Sequence, residues 1–346
     1  MIDIRESEVL SFIKQRPESS SKEIHEAISI SISYATVKRI LQKLKSDNLL
    51  DVKGQGKGTK YIVSSAFDLL HPIDLNKYFE KEIDERQIFE GFNLNIIVEV
   101  LAQYTVFNEN ELITLTNLQN RYLQNISQLS TSEYNKELNR LAIDLSWKSS
   151  QIEGNTYSLL ETERLLQDKE TASGKTKEEA IMLLNHKEAI DFITNNPDYL
   201  IPLSKAKIED IHSILIKELD IDKNIRRRRV GISGTNYRPL DNEFQISEAL
   251  NSMCELINTK VNVFEKALLV LVLLSYIQPF IDGNKRTARI VSNAILMNNR
   301  YCPISYRTVD SIDYKKAMLL FYEQNNITCF KEIFINQFAF AVNTYF

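Results

Sequence analysis

Apolar residues in the first 65 positions recur first at helical and then at strand spacing. Val9, Leu10, Phe12 and Ile13 share one face of a helix over Glu6–Gln15, which Pro17 closes. Ser20 or Ser21 caps a short second helix reaching Ala27. Over Tyr34–Asp47, Val37, Ile40, Leu41 and Leu44 fall inward, with Lys38, Lys43 and Lys45 among the outward positions. Leu49–Lys53 and Lys60–Val63 then read as two strands joined through Gly54, Gly56 and Gly58, a hairpin with a flexible basic tip. Three helices followed by a wing predict a winged helix-turn-helix over residues 1–66.

A linker over 67–75 contains His71-Pro72, a helix break. From Asn76 the spacing is helical almost throughout. It predicts a charged amphipathic helix over Tyr78–Phe89, a core segment over Leu94–Phe107 and a long mixed helix over Leu118–Leu145. Trp147 reads as a packing anchor. Thr176–Thr194 is amphipathic, with His186 assigned to its surface. Ala267–Ile277 is a buried helix, too short to span a bilayer. Arg286–Asn298 is amphipathic, and Ser311–Phe346 closes the chain with Phe and Tyr residues destined for the core. Between these helices, Arg229–Pro239 alternates apolar and small residues with turn formers and predicts a hairpin. The four arginines at 226–229 then belong to a solvated face. The expected fold class is mainly α with a small β-hairpin, plus the N-terminal α+β module. The remainder divides into a helical region, 76–180, and a core, 181–346.

Composition narrows the function classes. A formal charge of −4 over 346 residues excludes a globally basic nucleic-acid binder. Locally, residues 33–63 carry seven Lys/Arg against two Asp, a net +5 that suits DNA contact through Lys38, Arg39, Lys43 and Lys57. A dimerisation module with the same fold is the other reading of that segment. Cys254, Cys302 and Cys329 form neither a metal-ligand spacing nor a disulfide framework and point to a reducing cytoplasm. No secretory leader pattern opens the chain.

The densest chemistry lies at 278–289, Gln-Pro-Phe-Ile-Asp-Gly-Asn-Lys-Arg-Thr-Ala-Arg. Asp282-Gly283-Asn284 is a tight turn whose backbone N–H groups, with the positive end of the following helix, form an anion cradle. Arg286 and Arg289 are three apart on one helical face and can fork onto phosphate oxygens. Asp282, the only carboxylate of the loop, is the natural partner of a phosphate-bound divalent cation. These residues describe a nucleotide polyphosphate site.

This segment resembles the Fic family motif His-Pro-Phe-x-Asp/Glu-Gly-Asn-Gly/Lys-Arg-x-x-Arg, matching at every specified position except the first. Ser149-Ser150-Gln151-Ile152-Glu153-Gly154 resembles the family's inhibitory motif, Ser/Thr-x-x-x-Glu-Gly/Asn. The Gly-Thr-Asn-Tyr-Arg-Pro stretch, 234–239, is similar to the family's target-binding flap. The resemblance implies a helical core that transfers AMP from Mg²⁺-ATP to a hydroxyl of a target protein. It implies that Gly283, Asn284, Lys285, Arg286 and Arg289 hold the nucleotide and that Asp282 carries the metal. Ser149, Glu153 and Gly154 would form the inhibitory element, with Glu153 pairing Arg289. Gly234, Thr235, Asn236 and Tyr237 would border the target and the adenine.

Two departures matter. Gln278 stands where the family has the histidine that takes the proton of the attacking hydroxyl, and a carboxamide has no useful basicity. His212 falls where relatives carry a structural helical histidine. Lys285 replaces the commoner glycine, a variant shared with Doc-like members that transfer a phosphate instead. Two functions follow. One is an adenylyltransferase held off by Glu153 and weakened at Gln278; the other is a non-catalytic nucleotide sensor coupled to a DNA-binding regulator. Partners on this reading are ATP, a target protein and DNA through 33–63, without a membrane; a homodimer is compatible with it.

Overall fold

The computed structural model describes residues 3–89 and 91–346, with only the backbone at Lys57. The N-terminal module is α1 (Ile4–Gln15), α2 (Ser21–Ala27), α3 (Tyr34–Ser46), β1 (Leu50–Lys53) and β2 (Lys60–Val63). β1 and β2 pair antiparallel, Leu50 opposite Val63 and Lys53 opposite Lys60, and form the only sheet among the described residues. A winged helix results, with Ser19 bridged to Tyr61 so that the wing closes on the helices.

Local signals set most helix starts. Six helices begin with a reciprocal capping box in which a short polar side chain caps and a Glu three residues on bonds back, as at Ser20/Glu23 and Thr176/Glu179. α4 (Phe67–Leu70), α5 (Leu75–Tyr78) and α6 (Leu101–Gln103) are short connecting turns. The core helices are α7 (Glu109–Ile126), α8 (Thr131–Ile152), α9 (Leu159–Asp168), α10 (Lys177–Asn195), α11 (Lys205–Leu215), α12 (Glu243–Thr259), α13 (Val263–Ile277), α14 (Asn284–Asn298), α15 (Ser311–Gln324) and α16 (Thr328–Thr344). α13, apolar all round, is the central helix; α14 lies against it and against α8, α10 and α11. One apolar core runs from Val9 in α1 to Tyr345, so the winged helix shares packing with the rest. Tyr104 Oη donates to Asp51 at 2.6 Å and Asn48 donates to the Thr105 carbonyl at 3.1 Å, joining wing and core with polar contacts.

Three expectations from spacing are corrected. The helix expected over Leu118–Leu145 is two helices, because Ser130 supplies a capping box that restarts the chain after Ile126. The segment 78–89 is not a helix. It runs over the surface as an irregular connector with one 3-10 turn at Ile83–Glu85, tied down by Arg86, whose guanidinium pairs with Glu323 at 3.1 Å, both side chains buried. Tyr78 Oη donates to the same carboxylate at 2.7 Å, and Phe89 N–H to the Glu323 carbonyl at 2.8 Å. These tertiary bonds replace those a helix would have made. Finally, 229–239 makes no two-stranded ladder. Its one bridge is parallel, Arg238 with Gly91, and the Gly234 carbonyl accepts from Arg86 at 2.9 Å.

Candidate nucleotide site

α13 ends at Gln278, whose left-handed backbone (φ 52°) turns the chain toward a second left-handed residue, Gly283 (φ 81°), which opens α14. Gly283 is required sterically. A Cβ there would meet the His212 ring at 3.2 Å, on top of the unfavourable φ. With glycine as N-cap, no side chain caps α14, so its first N–H groups face a cavity of about 370 Å³. Asp282, Gly283, Asn284 and Lys285 line one wall of that cavity, with Glu153 and Ile152 opposite.

Beneath the turn, His212 stacks flat on Phe280 with centroids 3.6 Å apart and lies 2.9 Å from the Asp282 carbonyl. Burial pushes its pKa down to about 4, so the ring is neutral and donates to that carbonyl. Arg226 braces the other side. Its Nε donates to the Gln278 carbonyl at 2.6 Å, while its backbone N–H bonds to Pro279. The expected solvated face for residues 226–229 therefore fails at its first member: Arg226 is buried, whereas Arg227 and Arg229 remain exposed and pair with Glu243 and Asp241.

Gln278 itself is fully engaged. Its Nε2 donates to the Ser275 carbonyl at 2.7 Å, and its Oε1 accepts from Asn284 at 3.0 Å. Asn284 is fixed in turn by two bonds to the Phe280 backbone, so the carboxamide orientation follows from the network. Tyr322 Oη lies 3.4 Å from Nε2.

Both motif arginines are buried. Arg286 bonds Asp282 at 2.9 Å and leaves Nε and Nη1 without a partner among the described residues. Arg289 donates through Nε to Ser149 Oγ at 2.8 Å and through Nη2 to Glu153 Oε1 at 2.8 Å, with Nη1 left over. Neither arginine lines the cavity, and each keeps buried N–H groups without an acceptor among the described residues, as Arg86 and Arg226 do elsewhere in the fold. Lys285 adds a second contact to Glu153, Nζ to Oε2, at 3.4 Å. Burial raises the Glu153 pKa, but the charges of Arg289 and Lys285 outweigh it and hold the group below the usual carboxylate range. Glu153 ends α8, and Gly154 turns the chain away with φ 102°.

The structure thus brings Gln278, Asp282–Arg286, Arg289, Ser149 and Glu153 to one place. It separates the expected flap residues from the cavity. Gly231, Ile232 and Ser233 line it instead, while Tyr237 is buried in an aromatic stack with Tyr276 and Tyr322, and Asn236 bonds Asp84. Gly234, the first of them, is held instead by Arg86, which donates to its carbonyl at 2.9 Å.

His186, expected at the surface, is also corrected. It is completely buried and lies 2.7 Å from Ser149 Oγ. Burial, then the charges of Arg289 and Arg286, hold its pKa well below 6.5. Ser149 Oγ thus links the Arg289 guanidinium to the neutral imidazole. The signal existed: His186 lies three residues from both Leu183 and Ala189, on the buried stripe of α10. Lys315, Met318, Leu319 and Tyr322 on α15 also line the cavity at helical spacing; of these only Tyr322 has an expectation from sequence, as a core aromatic.

On the winged helix, Lys38 and Arg39 are exposed on α3, with Lys38 over the Tyr34 ring at 4.8 Å. Lys43, grouped with them from sequence, instead turns to α1 and pairs with Glu6 at 2.5 Å. The wing's Lys53 and Lys60 pair with Glu18 and Glu23, which reduces the local basic charge. The Lys57 side chain lies outside the described residues.

The Fic/DOC family pattern matches residues 202–296, and that of the penicillinase repressor family matches residues 3–80. A protein adenylyltransferase Fic from Nematostella vectensis is 30% identical over 176 residues, 49% of this chain and 40% of the relative. One from Aedes aegypti is 28% identical over 188 residues, 51% of this chain and 37% of the relative. The chain therefore spans roughly two-fifths of the length of these curated relatives. Among solved structures, Fic-1 (residues 134–508) from C. elegans superposes with a TM-score of 0.60 at 19% identity, covering 68% of this chain and 72% of that one. A Fic-domain signalling protein from Bacteroides thetaiotaomicron gives 0.56 at 18% identity, covering 67% and 95%. At these identities the structural likeness concerns the fold. No helix among the described residues is long and apolar enough to cross a membrane.

Proposed function

We propose, from the premise that residues 202–296 make this a Fic/DOC family protein, that the chain binds Mg²⁺-ATP at the 282–289 turn and is held off by Glu153. The observation carrying this reading is the pair Arg289–Glu153: a carboxylate that lines the cavity sits on the guanidinium that a terminal phosphate would need. A carboxylate and a phosphate compete for the same fork of N–H donors.

In the adenylyl transfer proposed, an acceptor hydroxyl oxygen attacks the α-phosphorus, the bond to the β-phosphate oxygen breaks, and pyrophosphate leaves. The hydroxyl proton must go to a base. Gln278 cannot take it, and its two polar atoms are already committed to Ser275 and Asn284. Loss of a general base costs about 10²–10⁴ in rate. The chain's contribution is then positioning: the first N–H groups of α14 and Lys285 cradle phosphates, and Arg286 and Arg289 neutralise the outer ones. Asp282, with its side chain 58% exposed, has no companion carboxylate or histidine for a three-ligand metal cage among the described residues. Such a lone carboxylate suits an ion carried in on the nucleotide, where magnesium offsets phosphate charge.

A second reading, a nucleotide sensor that turns nothing over and acts through the winged helix on DNA, draws support from the locked Gln278 carboxamide. Calorimetric titration of Mg²⁺-ATP against the chain and its Glu153→Gly form, followed by transfer of label from the α-phosphate, separates the two. Binding without transfer by the Glu153→Gly chain favours the sensor. No binding by either form defeats both.

A further inference from the structure

The connector 78–89 creates a surface beside the nucleotide cavity. Flap residue Gly234 crosses α15 at Leu319, and a second recess of about 330 Å³ opens on the far side of that crossing. Lys315 and Leu319 line both recesses, so the two meet across the flap. The floor is apolar: Phe79 and Ile83 from the connector, Ile312 and Leu319 from α15. Ile83 and Ile312 are left exposed at 38% and 63%. Lys81, Lys315 and Lys316 stand around it, and none of them forms an ion pair among the described residues; Glu82 is the single carboxylate of the lining. On the flap between the recesses, Gly231, Ile232 and Ser233 make no backbone hydrogen bond among the described residues.

We propose, resting on the transfer site described above, that this second recess docks the acceptor protein and selects an extended segment with a carboxylate beside an aliphatic residue. Free backbone groups at 231–233 offer edge pairing to an added strand. An extended strand advances about 3.3 Å per residue and alternates its side chains, so a hydroxyl facing one recess and an aliphatic group facing the other are a few residues apart. The three unpaired lysines supply the complementary charge, and the exposed isoleucines the apolar contact.

The test uses the full chain carrying Glu153→Gly, panned against a positional-scanning library of biotinylated decapeptides, beside the same chain with Lys81→Glu and Lys316→Glu. The expected result is enrichment of Asp or Glu next to Leu or Ile, by about two- to fivefold per carboxylate, the size of an exposed ion pair. In the double variant that preference disappears or reverses toward Lys and Arg. Neither substituted lysine lines the nucleotide cavity, so Mg²⁺-ATP affinity remains within about twofold of the parent and also certifies folding. Absence of charge selection, or selection that survives both substitutions, overturns the proposal. A change of oligomeric state in the double variant, by sedimentation, assigns the recess to a second copy of the chain and overturns it as well. Loss of ATP binding in the parent would instead refute the nucleotide reading, independently of the library result.

Discussion

Glu153 Oε1 lies 2.8 Å from Nη2 of Arg289, while its second oxygen lies 3.4 Å from Nζ of Lys285. One carboxylate therefore engages two of the cations that line the proposed phosphate seat. Glu153→Gln should raise Mg²⁺-ATP affinity by about tenfold or more, since about 1.4 kcal/mol of competition suffices for that factor. Isothermal titration measures it. Unchanged affinity would mean that Glu153 and the nucleotide do not compete.

Restoring the missing base alone should do little, because Arg289 stays occupied. Gln278→His together with Glu153→Gly should transfer α-phosphate label about 10²–10⁴ faster than Glu153→Gly with glutamine retained. Equal rates in the two chains would mean that residue 278 accepts no proton during transfer.

Arg226 holds the Gln278 carbonyl from a completely enclosed position. Arg226→Met should destabilise the chain by about 1–3 kcal/mol, the cost of an unsatisfied buried acceptor. Urea unfolding reads this as a lower midpoint at unaltered slope. Arg227→Met, at an 82% exposed side chain, should fall within about 0.5 kcal/mol of the parent.

Acid should weaken the fold through its enclosed imidazoles. His212, pushed down to about 4, and His186, also depressed, are neutral when folded, whereas an unfolded histidine titrates near its ordinary 6.5. Below that pH the unfolded chain binds protons first, so stability falls with acidification and is flat above it. His212 alone accounts for about 2 kcal/mol by pH 5. His212→Gln should lessen the slope of the stability profile between pH 6.5 and 5, leaving the share of His186; an unaltered slope would mean that this ring is charged in the folded chain.

For DNA, charge accessibility ranks the candidates differently from sequence position. Substituting Lys38 and Arg39 with alanine should weaken binding and reduce the magnitude of the salt slope by about two, one per phosphate contact. Lys43→Ala should leave that slope unchanged, its ammonium being committed to Glu6. Filter binding across a salt series on any duplex distinguishes them.

Much of this architecture was legible because the deciding signals were local. Capping residues, apolar stripes and the glycines of the wing located the winged helix and most core helices, and the 278–289 spacing located the turn with both arginines. What escaped was set by distant partners. Nothing near Arg86 announces Glu323, 237 positions away, yet that bond ties down a connector whose spacing predicts a helix. Arg226 sits in a run of four arginines whose members differ only in what lies across from them. His186 is the opposite case: its helical phase points inward, against the polarity of its ring.

The ion pair between the connector and α15 also bears on how the molecule can be divided. A fragment beginning after Arg86 would strand Glu323, a carboxylate with no exposed side-chain surface, without its guanidinium. Stranding a charge in that way costs about 3–5 kcal/mol. A cut placed at the end of the wing, before Ser64, would keep both halves of the pair in one piece. The smallest self-sufficient fragment is therefore longer than the family-matched 202–296 segment, and its natural start lies upstream of Tyr78.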